Sequence, residues 1–228
     1  MYFVVRTTLK ACIHFILGLT ILGLISSCSP KAGDECGFVQ NVYGQRISWK
    51  SNLPAAVLIS TGVPAELKSA IYRAAATWEK KLGQQAFVLT EENLQSAAQT
   101  SAPGRDKKNG IYFLNNWESD KKSEQGRTSV YWAGEEIQEA DIRINAADFS
   151  FYNEDQKQLV RATNSSNDVQ KTPSGYNFEA LMLHEMGHFL GLKHREEKGS
   201  VMATYLSAFQ DRTEPASLDT ENVQCEYK

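Results

Sequence analysis

The chain predicts a mixed α/β (α+β) fold, one sheet layer backed by helices, on three observations. An apolar strand pattern leads at once into an amphipathic helix, four further strand patterns follow between polar stretches, and the last strong apolar periodicity is helical again. With 228 residues, 42% of them hydrophobic, the chain is long enough for one ordinary domain with a buried core. The formal net charge of -3 leaves no basic excess to neutralise phosphates, which argues against nucleic acid as a partner.

At the N-terminus Arg6 and Lys10 precede an apolar run over residues 11–25, broken only by small residues, Thr20 and His14. The run falls short of the ~20 residues that a spanning helix needs and has the order of a secretory signal peptide. Ile25-Ser26-Ser27-Cys28 resembles the lipobox of bacterial lipoproteins, in which the chain is cut before the cysteine and that cysteine receives lipid. The resemblance implies a signal peptide over 1–27, a lipidated Cys28 with a polar, glycine-containing tether over 28–46, and a folded domain over 47–228. It also implies a bacterial cell-envelope location outside the cytoplasm, with the lipid as the membrane contact. Removal of 1–27 takes Cys12, and lipidation takes Cys28. Cys36 and Cys225 remain, either as one disulfide in an oxidising compartment or as two buried thiols.

The first strand is expected over 55–60. Thr61-Gly62-Val63-Pro64 breaks it and opens a helix with proline near its start. Leu67, Ile71, Ala74, Trp78 and Leu82 then recur at three- and four-residue steps, one buried face of a helix that Gly83 closes. Strands are expected over 87–90, 110–114 and 128–132, and the alternation in 140–145 suits a half-exposed strand. Residues 153–177 are polar and are expected as loop, without repeat or low-complexity tract.

Asn177 can cap the next helix, which runs through LMLHEMGHFLGLKH. Four residues advance a helix by about 400°, so His184 and His188 lie roughly 40° apart, one turn above the other. Met182, Leu183, Met186, Phe189 and Leu190 fill the opposite arc and belong to the core. Gly191 can end the helix at positive φ and let the chain bring His194 back to the same metal. Three imidazoles and an open position are the coordination of catalytic zinc. Glu185, about 100° around the wheel, can serve as general base toward a zinc-bound water without becoming a ligand. The five fixed positions of HExxHxxGxxH arise by accident in about one chain in 10⁵ of this length. Apart from His14 in the signal segment, the chain's histidines are these three and no others.

His184-Glu185-Met186-Gly187-His188-Phe189-Leu190-Gly191-Leu192-Lys193-His194 resembles the long zinc signature of the metzincin metalloproteases. Gly187, Leu190, Leu192 and the short step from His194 to Met202 resemble the matrixin branch. The resemblance implies a twisted, mostly parallel five-stranded sheet with one antiparallel edge strand, a backing helix, the zinc-binding helix, and an end helix over 218–227. It places Met202 in the family's Met-turn under the zinc site. It makes Thr128, Ser129, Val130, Tyr131 and Trp132 the edge strand, to which a protein or peptide substrate adds by backbone hydrogen bonds.

There are departures from the family pattern. Arg195 stands where many matrixins have serine, and the Pro-x-Tyr wall after the Met-turn is absent, with Tyr205 the nearest aromatic for a substrate or oxyanion contact. A second, histidine-bound zinc has no histidines left to hold it, and calcium has no identifying loop. Cys36-Gly37 is similar to the zinc-blocking cysteine of animal zymogens but lacks the surrounding arginine, proline and aspartate. The expected function is a zinc metalloendopeptidase acting on extracytoplasmic proteins, with a monomer as the default. The alternatives are a catalytically silent zinc-binding lipoprotein, against which Glu185 argues, and a zinc hydrolase of non-peptide bonds, against which a peptide-length cleft would weigh.

Overall fold

The computed structural model describes residues 36–92, 105–154, 158–160 and 175–228. The expected signal segment, Cys28 and the first part of the tether lie outside the described residues.

Strand β1 (Ala55–Ser60) leads through a turn and Pro64 into helix α1 (Ala65–Leu82). The five predicted apolar positions of α1 are all buried, joined by Ala70 and Ala75, and the helix closes at Gly83 with φ 74°. Strands β2 (Phe87–Glu92), β3 (Gly110–Leu114), β4 (Gly126–Ala133) and β5 (Glu136–Asn145) complete a five-stranded sheet in the order β2-β1-β3-β5-β4. All neighbouring pairs are parallel except β4 with β5. The sheet is therefore mixed, with its antiparallel member at the edge, as the resemblance implies.

Helix α2 (Phe178–Phe189) is capped by Asn177, whose side chain accepts from the Ala180 N–H at 3.2 Å. It packs against α1, where Trp78 donates its indole N–H to the Leu183 carbonyl at 2.8 Å, and against β4 and β5. This double packing buries it nearly all round, including the expected Met182, Leu183, Met186 and Phe189. Helix α3 (Ser217–Tyr227) ends the fold.

Two regions depart from expectation. Part of the polar stretch over 153–177 is strand: β6 (Ser150–Asn153), β7 (Gln158–Val160) and β8 (Gly175–Asn177) form a separate three-stranded sheet. Asn153 holds it to α1 by donating to the Glu66 carbonyl and to Ser69. The second departure corrects the boundary between tether and domain. Residues 36–46 belong to the domain, because Phe38 is fully buried and the Gly37–Val39 backbone pairs with the segment after α2. Val39 N–H donates to the Gly191 carbonyl at 2.9 Å, and Lys193 N–H donates to the Gly37 carbonyl at 2.8 Å. Val39, Val42 and Tyr43 in the same stretch are apolar too yet exposed, so the sequence does not single out Phe38 as the residue that packs.

Of the two cysteine alternatives, the disulfide is formed, joining Cys36 to Cys225 of α3 across 189 residues of sequence. It brings the start of the domain beside its end. Glu226 accepts from Ser48 at 2.6 Å and from Lys50 at 2.8 Å, and it pairs with Arg46, all of which hold its carboxyl below its usual range against the opposing effect of burial. Tyr227 donates its hydroxyl to the Leu190 carbonyl at 2.6 Å, just behind α2.

Candidate active site and metal centre

His184 and His188 project from one side of α2, a turn apart, as their spacing requires. After Phe189 the chain leaves the helix through Gly191, whose φ is 103°. A Cβ there would lie 2.3 Å from the Ile47 carbonyl oxygen, so both conformation and space demand glycine. This turn returns His194 to the other two histidines.

The Nε2 atom of His188 lies 3.1 Å from that of His184 and 3.0 Å from that of His194. The outer nitrogens have other partners: His184 Nδ1 is 2.8 Å from the Val201 carbonyl, and His188 Nδ1 is 2.7 Å from the Leu192 carbonyl. A carbonyl only accepts, so both Nδ1 atoms carry the proton and both Nε2 atoms present bare lone pairs to each other. Burial above all holds both rings well toward the neutral form, His188 down to about 4, and His194 is lowered by burial as well. Lone pairs facing one another without a hydrogen between them are satisfied by a cation. The donor set fits zinc: three neutral nitrogens, and among the described residues no fourth His, Cys, Asp or Glu joining the group.

The floor of the site is the turn carrying Met202. Its sulfur packs where Gly187 lacks a side chain, since a Cβ on Gly187 would lie 2.3 Å from Met202 Sδ. Asp219, fully buried on α3, fixes this turn from behind by accepting from Ser200 Oγ at 2.6 Å and Val201 N–H at 2.9 Å. Val201 in turn orients His184. A helix near the end of the chain thus sets the tautomer of the first histidine through two hydrogen bonds.

Glu185 reaches toward β4. Thr128 Oγ1 lies 2.7 Å from its Oε2 and 3.0 Å from its backbone carbonyl. Only 4% of the residue is exposed, and burial pushes its carboxyl up to about 7 against the opposing effect of the Thr128 hydrogen bond. Such a group is close to the ideal for accepting a proton near neutral pH.

A cleft of about 600 Å³ runs between β4 and the turn after Met202, lined by His184, Glu185, His188 and His194. Of the edge strand named from sequence, Thr128, Val130 and Trp132 line it, whereas Ser129 and Tyr131 alternate away from it. Tyr205 stands on the opposite rim, 83% exposed. The sequence reading missed Gly126, Gln125 and Arg212. Arg212 donates to the carbonyls of Ser200 at 3.1 Å and Tyr205 at 2.8 Å and so shapes the rim, while Gln125 donates to the Leu206 carbonyl at 3.0 Å. None of the three sits in a local motif, so only the folded arrangement reveals them.

No curated protein matches the chain. A family model described as Matrixin, of a peptidase family, matches residues 64–228, which span α1, four of the five main strands, the three histidines and the Met202 turn. With that match over most of its length and a three-histidine centre fit for a metal, the chain belongs to the matrixin family of zinc metallopeptidases.

Proposed function

We propose that this protein is an endopeptidase that hydrolyses extracytoplasmic proteins, with His184, His188 and His194 holding one zinc ion and Glu185 acting as general base. One observation carries the reading: three histidine nitrogens converge, without a fourth protein donor among the described residues, in a cleft that Glu185 also lines and an edge strand bounds. Zinc bound there supplies a Lewis acid that polarises a peptide carbonyl and makes a nearby water more acidic. An extended peptide pairs with the free edge of β4, which orients the scissile bond without reading particular side chains. Glu185 removes a proton from the attacking water and delivers it to the leaving amine, so the same carboxyl acts as base and then as acid. The Met202 turn supports His184, and lipid on Cys28 would keep the domain at the envelope surface. Among the described residues no helix is long and apolar enough to cross a membrane.

The test uses the chain from residue 29 onward, wild type and Glu185→Ala, with bound zinc quantified and a mixed peptide library as substrate. The expected result is one zinc per chain in both proteins, internal cleavage by the wild type alone, and loss of cleavage with a chelator. Zinc in both with cleavage by neither would overturn the reading in favour of a zinc-binding lipoprotein without activity.

A further inference from the structure

Thr128 sits on β4 opposite Ile142 of β5, and its side chain lies on the strand face that turns toward α2, together with Gly126 and Val130. Its hydroxyl reaches two oxygens of a single residue, Glu185 Oε2 at 2.7 Å and the Glu185 carbonyl at 3.0 Å. A hydroxyl has one proton, and the shorter, charge-assisted bond to the carboxylate is the stronger of the two. With that proton on Oε2, the side-chain contact ties the carboxylate to β4, and the Glu185 carbonyl is a close neighbour of the hydroxyl rather than a second acceptor. Two residues earlier on the same face, Gly126 governs the other carboxylate oxygen. A Cβ at Gly126 would stand 2.8 Å from Glu185 Oε1, so the missing side chain leaves room for that oxygen. One oxygen is thus held by a hydrogen bond, and the other is given space.

We propose that Thr128 is a positioning residue for the general base: its hydroxyl anchors Glu185 Oε2 and leaves Oε1 as the atom that takes the proton from water. The inference rests on the assignment of Glu185 as base. It deepens that assignment by separating the roles of the two oxygens and giving β4 a task beyond pairing with substrate. A carboxylate at the end of a flexible side chain samples several rotamers, and proton transfer needs it within hydrogen-bond reach of the water. A threonine on a strand of a mixed sheet is rigid, because its branched side chain has few rotamers and its backbone is paired with β5. The edge strand therefore lends its stiffness to the base on the neighbouring helix.

The experiment compares wild type, Thr128→Val, Thr128→Ser and Glu185→Ala as purified zinc-loaded proteins on one peptide that the wild type cleaves. It records zinc content, thermal midpoint, kcat and KM for each. Valine keeps the branched shape and the strand preference and removes only the hydroxyl. The expected result is unchanged zinc content and KM for Thr128→Val, a fall in kcat of about tenfold to a hundredfold, and recovery of most of that loss in Thr128→Ser. A role confined to folding would lower the thermal midpoint without a selective loss of kcat, and a role in substrate contact would raise KM instead. Either pattern overturns the inference, as does a folded, zinc-loaded Thr128→Ser no more active than the valine variant. If valine at this position prevents folding, the serine comparison decides alone. Wild-type kcat in Thr128→Val beside an inactive Glu185→Ala rejects the positioning role and keeps the base, whereas an active Glu185→Ala rejects the base itself.

Discussion

Two buried carboxyls on opposite sides of β5 meet the same physics and end in different circumstances. Glu185, on the cleft side, and Asp141, within β5 itself, are both pushed up to about 7, in each case chiefly by burial. Glu185 has a hydroxyl on one oxygen and lines the cleft. Asp141 accepts from the Gly110 N–H at 3.0 Å through Oδ1, while its Oδ2 has no hydrogen-bond partner. Its neighbours Glu139 and Asp106 raise it further, and Glu139 is itself buried, accepting from the Lys107 N–H at 2.6 Å. A raised carboxyl is therefore no sufficient mark of catalysis. What separates the two is access to the cleft and the three histidines, so function is read from position and the shift only adds to it.

The largest effect that can break this comparison is on activity. Glu185→Gln is expected to lower kcat/KM by about 10²–10⁴ while retaining zinc, and Asp141→Asn to leave it within about threefold, both measured on the same peptide. Equal losses in the two variants would erase the distinction. Next, replacing Cys36 and Cys225 together by serine is expected to cost about 2–5 kcal/mol of stability in denaturant titrations, because the disulfide closes a very long loop. Gly126→Ala should follow, with kcat/KM down by one to two powers of ten at unchanged zinc content. The new methyl lies within contact distance of Glu185 Oε1 and of the Arg143 carbonyl, and the former is the softer neighbour.

The smallest effect concerns pH. Asp141 titrates higher in the folded chain than in the unfolded one, the reverse of an ion-paired aspartate. The folded state therefore binds the extra proton between about pH 4 and pH 7, and stability falls as pH rises through that window. Asp141→Asn removes this penalty. Its stability in denaturant titrations should match the wild type near pH 4 and exceed it at pH 8. A variant less stable than wild type at pH 8 would mean that the ionised carboxylate is compensated by a group the hydrogen-bond pattern does not reveal.

Much of this was legible in the chain because the decisive residues are close together in it. The three histidines, Glu185 and Met202 lie within 184–202, and helical spacing alone puts the first two histidines on one side. The buried face of α1 and the strands β1 and β3 carry strong periodicity or apolar runs and lie at nearly the expected bounds. Strand β5, by contrast, begins at Glu136 rather than Ala140 and is buried on both faces rather than half-exposed, because its polar side chains Glu139, Asp141 and Arg143 are covered too. Pairing between distant segments leaves no such trace. Thr128 and Glu185 are 57 residues apart, and nothing at either position announces the other. Phe38 is buried because Gly191 leaves room beside it, a fact of two backbones meeting rather than of any local pattern. The small sheet of β6, β7 and β8 escaped for a related reason, since its strands are too short for a period of two to show.

The tie between the two ends of the domain has a consequence for how the protein is made. A chain emerges N-terminus first, and His184, His188 and His194 are synthesised before Asp219, which holds Val201, and before Cys225, which fixes the strand beside Gly191. The turn that orients His184 therefore has its full set of partners only once the residues through Asp219 are present.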